Sequence, residues 1–271
     1  MQEQPRYLPD VNRVGVLTAS VLLSFALTRL VSVPGFTLTL QLPGFYFIYP
    51  LTLGTAMTLM AAGLTASGMD WLLRSHPSLQ GRMTVEHWLL PTLTTFVIGA
   101  LLGILPLGPL WWMGFAFGAA IIVSIFVAEY IAVDPGAPMY ALASAGLTSL
   151  SYALFLIFTT ALRTAGARLF LIVPAVFLTA GLVVLRTLHL RLSGRWEFAW
   201  SVCIGLACAQ VAGGLHYWHV SAIQFGLILL GPLYALTTFA YGLGEGIPLS
   251  RAITEPGIIL AVAWGAAVFL R

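Results

Sequence analysis

The sequence predicts an all-α, polytopic membrane protein: one integral membrane domain over residues 1–271, a bundle of about nine spans (eight on the alternative count), and no soluble domain. Three observations predict it. Hydrophobic residues make up 59% of the chain and charged residues 8%, whereas a soluble protein carries about 25% charged residues. Mean hydropathy is +0.96. Apolar runs of roughly 20 residues, the length that crosses a hydrocarbon core, recur along the chain, with polar residues gathered in the short connections. Lipid therefore replaces water as the solvent for most of the exterior.

The charges point the same way. All twelve basic residues are arginine, and no lysine occurs. A pI near 9.1 raises nucleic acid as a partner, but no basic run or stripe is present to bind phosphates, which excludes it. The arginines read as orientation signals at membrane edges. Cys203 and Cys208 are five apart in one predicted helix, so they point in different directions and are not expected to form a disulfide. No CxxC-type spacing indicates a metal.

Met1 to Arg13 is a short polar flank, and the apolar run beyond it is read as an uncleaved first helix, about Val14 to Val33. Arg29, in its last third, is read as snorkelling to the interface or as the partner of a buried acid or anionic substrate. Phe36 to Leu42 alternates with period two between Pro34-Gly35 and Pro43-Gly44, which predicts an extended or hairpin-like segment on the membrane surface. The second span is placed at about Phe47 to Ser67, followed by a short interfacial helix around Trp71. The third span runs from about Val85 to Leu105 and includes His87.

A tight Pro106–Pro109 connection leads to the fourth span, about Leu110 to Val133. The patterns Gly99-Ala-Leu-Leu-Gly103 and Gly114-Phe-Ala-Phe-Gly118 are expected at similar depth, packing these two helices together. Glu129 closes the fourth span, where a carboxylate facing lipid would be costly. The fifth span, about Ala137 to Leu162, is rich in Ser, Thr, Ala and Tyr and suits the bundle interior. The sixth is about Leu169 to Leu190, the seventh Phe198 to Gly214, the eighth Val220 to Leu243 and the ninth Pro248 to Leu270. Tyr241 to Gly246 is a helix stop rather than a dinucleotide fingerprint. Arg251 and Glu255 are four apart, a spacing that allows pairing along one face.

Nine spans with an inside N-terminus put eight arginines inside (Arg6, Arg13, Arg74, Arg82, Arg186, Arg191, Arg195, Arg251) and three outside (Arg163, Arg168, Arg271). The positive-inside rule then favours N-in and C-out, in a bacterial inner membrane. The polar residues sort into two candidate clusters. Arg29, Gln210, His216, His219 and Gln224 fall toward the outer half. His87, Glu129, Arg186, His189, Arg251 and Glu255 fall toward the inner half. The densest stretch, Gln210 to Gln224, is where a pocket is expected.

The run Gly68-Met-Asp-Trp-Leu-Leu-Arg-Ser-His-Pro77, followed by Glu86-His-Trp-Leu-Leu-Pro91, resembles a bacterial family of multi-spanning membrane proteins with no assigned function. The resemblance covers the second and third spans and implies a membrane location. Three functional classes follow from the whole chain. Short loops, small-residue helix faces and no catalytic constellation favour a non-enzymatic subunit or assembly component of a membrane complex. Arg29, Glu129 and Arg251/Glu255 would suit a small-solute or lipid transporter. The histidines would suit a membrane enzyme or a haem protein, although no motif supports a cofactor. The expected partners are the lipid bilayer and other membrane subunits.

Overall fold

The computed structural model describes residues 8–30, 36–42, 45–79, 84–192 and 194–269. Arg6, Arg82, Arg271 and the bracketing Pro34-Gly35 and Pro43-Gly44 lie outside the described residues. The chain packs as two compact units, Met1–Ala143 and Ser144–Arg271. The described residues form nine α-helices and one antiparallel hairpin. Eight helical segments are long and apolar enough to cross a membrane, which makes this a membrane-embedded helical bundle.

The first unit holds α1 (Val11–Leu30), β1 (Phe36–Leu42), β2 (Phe45–Leu51), α2 (Leu53–Leu73), α3 (Leu89–Ile104) and α4 (Pro109–Ile131). β1 pairs antiparallel with β2 in the register Phe36↔Leu51 to Leu42↔Phe45. Thr37, Thr39 and Gln41 are exposed, so the period-two pattern leaves its polar face to solvent. The aromatic, β-branched run Phe45–Leu51 suits a strand. It displaces the expected start of the second span at Phe47, and the helix begins only after Thr52, whose hydroxyl accepts the Thr55 N–H at 3.3 Å. At its other end α2 continues to Leu73, so Trp71 belongs to it rather than to a separate interfacial helix. α2 has a span's length but falls outside the eight, because threonines, glycines and Asp70 dilute its apolar content. It packs between α1 and α3.

Val21, Phe25, Met69, Leu72, Trp111 and Phe126 centre the buried core of this unit. Both glycine patterns pack inside this unit, as expected, though against different helices. A Cβ at Gly118 would meet Ile98 of α3, but one at Gly99 would meet Thr58 of α2 and Phe25 of α1, and Gly103 faces open space.

α5 (Tyr140–Thr164) leads into the second unit, followed by α6 (Leu169–Arg191), α7 (Phe198–His216), α8 (Ala222–Gly244) and α9 (Leu249–Phe269). α6 and α7 pack backbone to backbone: a Cβ at Gly205 would stand 2.9 Å from the Phe177 carbonyl oxygen. α8 opens with a capping box, in which Ser221 Oγ accepts the Gln224 N–H and Gln224 Oε1 accepts the Ser221 N–H. It closes at Gly246, whose φ of 72° is left-handed; the Ile247 N–H returns to the Gly242 carbonyl at 2.9 Å. The expected helix stop lies there. Cys203 and Cys208 are both free thiols.

One arginine arrangement occurs in both units. Arg29, in the last turn of α1, donates to the Leu102 and Leu105 carbonyls at the end of α3 (2.6 and 2.8 Å) and stands 5.7 Å from the Trp111 ring in the first turn of α4. Arg163, in the last turn of α5, donates to the His216 and Trp218 carbonyls at the end of α7 (both 2.9 Å) and stands 5.6 Å from the Phe225 ring in the first turn of α8. A helix C-terminus leaves its last carbonyls unpaired at the negative end of its dipole. In each unit a guanidinium from two helices earlier satisfies them.

Candidate functional site

At one end of the first unit, the end of α2, the turns after it, the start of α3 and the end of α4 build a polar network. A 3-10 turn, Val85–His87, delivers His87 to α4. Its Nδ1 lies 2.7 Å from Glu129 Oε2, with Glu129 fully buried and His87 5% exposed. His87 Nε2 stands 3.9 Å from Glu86 Oε1. Beside this pair, Asp70 accepts from Arg74 Nε (2.7 Å) and from the Thr84 hydroxyl (2.6 Å). His76, buried, packs edge-on against Tyr130 at 4.6 Å, and its Nδ1 accepts the Ser78 N–H at 3.2 Å. Ser78 Oγ donates to Asp134 Oδ2 at 3.3 Å.

The electrostatics follow from these partners. Burial pushes the His76 imidazole below its ordinary value; Asp134 pulls it the other way, and His87 adds to the lowering. The accepting role of Nδ1 fits a neutral ring. Asp70 holds the exposed Arg74 guanidinium above its ordinary value, through their hydrogen bond first. The sequence groups His87 with Glu129 on one membrane side but does not single out Asp70, His76, Ser78, Thr84, Tyr130 or Asp134. The signal was present, since Gly68–Pro77 and Glu86–Pro91 supply much of the network.

The second unit carries two cavities on the α8–α9 pair. At one end, α7, α8 and α9 line a partly open cavity of about 690 Å³ with a mostly apolar lining that includes Leu215, Trp218, Ile228 and Trp264. His219 and Gln224 also line it, so the pocket expected near Gln210–Gln224 lies where that stretch meets α9. Gln224 Nε2 donates to the Ala267 carbonyl at 2.9 Å, which ties α8 to α9 across the cavity. His216 has a buried Nδ1 with no hydrogen-bond partner among the described residues. Gln210 is exposed on α7. Arg29 belongs to the first unit, on the end of α3.

At the other end of the pair, Arg191, Thr238, Tyr241, Arg251 and Glu255 line a polar cavity of about 440 Å³. Arg251 and Glu255 share it without the ion pair their spacing allows. Arg186 and His189 are buried in the last turns of α6, with the His189 ring 4.5 Å from Trp196.

The model of DUF5656, a family described as proteins of unknown function, matches residues 33–270. The chain belongs to the DUF5656 family. No curated protein and no solved structure matches it.

The DUF5656 match begins beyond α1 and runs through α9, so every candidate residue except Arg29 lies inside it. In this DUF5656 protein His87 is held from both ring nitrogens' sides, with Nδ1 2.7 Å from Glu129 Oε2 and Nε2 3.9 Å from Glu86 Oε1. Among the described residues no three of His, Cys, Asp and Glu converge as a metal set.

Proposed function

We propose that this membrane protein is non-enzymatic and handles lipid, seating an acyl chain of a bilayer lipid in the apolar cavity of its second unit. The observation that carries this reading is the cavity itself. Its volume of about 690 Å³ falls in the range of pockets that hold small ligands, about 300–1,000 Å³, and such pockets pair an apolar wall with a few placed polar groups. Here the wall is Val211, Leu215, Ile228 and Val268, with Trp218, Trp264, His219 and Gln224 among them. Trp and His suit the zone where an acyl chain meets its headgroup. The positive-inside count supports an N-terminus in the cytoplasm, and the proposed location is a bacterial inner membrane.

Gly214 lines the cavity and has nothing within 4 Å of where a Cβ would stand. Gly214→Leu therefore starts its side chain in open space and extends it into the cavity. Native mass spectrometry of protein extracted gently from its membranes is expected to show a lipid adduct that this variant loses. A bare chain, or an adduct indifferent to Gly214→Leu, removes the reading.

A second reading, a subunit of a larger membrane complex, is favoured by α9. Ile253, Ile258, Val262 and Val268 are exposed along it, and Gly257 and Gly265 face open space. Small residues let a second helix approach closely where lipid offers no hydrophobic drive. Co-extracted polypeptides in the same spectrum, lost in Gly257→Leu/Gly265→Leu, are the outcome expected of it.

A further inference from the structure

We propose that the polar cavity between the end of α6, the end of α8 and the start of α9 binds a phosphodiester, presented by the headgroup of an anionic lipid. The inference stands on a different cavity from the acyl-chain reading and does not depend on it.

Two cations and one acid meet there. Arg191 comes from the last turn of α6, Arg251 and Glu255 from the first turns of α9. Among the described residues neither arginine has a carboxylate within ion-pair distance, so two guanidinium forks stand in a cavity of about 440 Å³ with only Glu255 to offset them. Arg191 lies over the Tyr241 ring at 5.5 Å, a cation–π contact that fixes the fork without occupying its donors. Guanidinium forks match phosphate oxygens two at a time.

A second observation is independent of the charges. Thr238 lines the same cavity, the residue is 9% exposed, and its buried Oγ1 has no hydrogen-bond partner among the described residues. A buried hydroxyl left unpaired is unfavourable unless a ligand or water completes it. A phosphate oxygen would accept its proton.

The charge balance selects the ligand class. Two arginines against Glu255 leave a net charge of one positive unit, which a singly charged phosphodiester neutralises. A phosphate dianion would be repelled by Glu255, whereas the hydroxyls of a glycerol headgroup can donate to it. Position selects the source. In the second unit Arg186, Arg191, Arg195 and Arg251 all lie at this end, against Arg163 and Arg168 at the other. The excess marks the cytoplasmic face, where basic pockets between helices meet anionic headgroups.

The test is the unfolding temperature of the full chain in zwitterionic detergent, titrated separately with phosphatidylglycerol, phosphatidylcholine and inorganic phosphate. Phosphatidylglycerol is expected to raise it in the wild type and in Arg195→Gln, whose side chain sits outside the cavity beside Glu197. Arg251→Gln and Arg191→Gln should each need about tenfold more lipid for the same shift, the loss of one charge-assisted bond. Thr238→Val keeps the shape and removes the orphan hydroxyl. It should leave the lipid-free protein as stable or more so while weakening the lipid response, a pair of opposite effects that a purely structural role would not produce. It also decides the matter if the arginine variants fail to fold. Equal shifts with phosphatidylcholine, or a full response in Arg251→Gln and Thr238→Val, overturn the site. An equal shift with inorganic phosphate overturns the lipid source and assigns the cavity to a free phosphate.

Discussion

His87 Nδ1 lies 2.7 Å from Glu129 Oε2, and the carboxylate has no exposure at all. The contact joins the turn before α3 to the last turns of α4. It gives a glutamate at the end of an otherwise apolar helix a hydrogen-bond partner in place of the water that burial removes. Breaking a buried pair by removing one partner is destabilising, at about 3–5 kcal/mol. Glu129→Ala and His87→Ala are therefore each expected to lower stability by that order. In a double-mutant cycle the pair should cost clearly less than the sum of the singles. Additive losses, read by thermal unfolding in detergent, would show that the two residues act separately.

His76 gives a pH dependence with a definite sign. Its native pKa lies below the ordinary 6.5, so between the native value and 6.5 the unfolded chain binds more protons than the folded one. Stability from this residue is complete above the ordinary value and is lost as pH falls through that window. His76→Asn should therefore flatten part of the acid-side decline. A variant whose unfolding temperature falls with acidification just as steeply as the wild type would refute the assignment.

The second unit depends on Arg163. Its two bonds to carbonyls at the end of α7 are charge-assisted, each worth about 1.5–3 kcal/mol before solvent screening of this half-buried group. Arg163→Ala is expected to lower stability by about 2 kcal/mol and to speed amide exchange at Trp218 and Val220. Arg163→Lys, a point charge without the fork, should recover only part of it.

Gly205 and Gly214 form a matched pair on α7. A methyl at Gly205 meets the Phe177 carbonyl oxygen at 2.9 Å, whereas one at Gly214 meets nothing. Gly205→Ala should push α6 and α7 apart at about 1–3 kcal/mol. Gly214→Ala should be neutral or slightly stabilising, because alanine loses less backbone freedom in a helix. Equal unfolding temperatures for the two variants would contradict the close approach.

The membrane class, the helices and most of their ends were readable from the chain alone, because hydropathy and helix length are properties of consecutive residues. The period-two run at Phe36–Leu42 announced its strand for the same reason. Phe45–Leu51 was hidden, since a short apolar run looks alike as strand or helix until a partner pairs with it. Placing His87 with Glu129 needed only a shared membrane side; the hydrogen bond between them needed the 3-10 turn that aims the ring. Arg29 reads from the sequence as a snorkelling side chain or as the partner of an acid or anionic substrate, and only the position of the α3 terminus makes it a cap. The spacing of Arg251 and Glu255 permits a pair that the fold replaces with a shared cavity, because Arg191 and Thr238 arrive from other helices. Local pattern determines which segments enter the bilayer. Which polar groups meet there depends on contacts between segments far apart in the chain, and only the packed helices decide them.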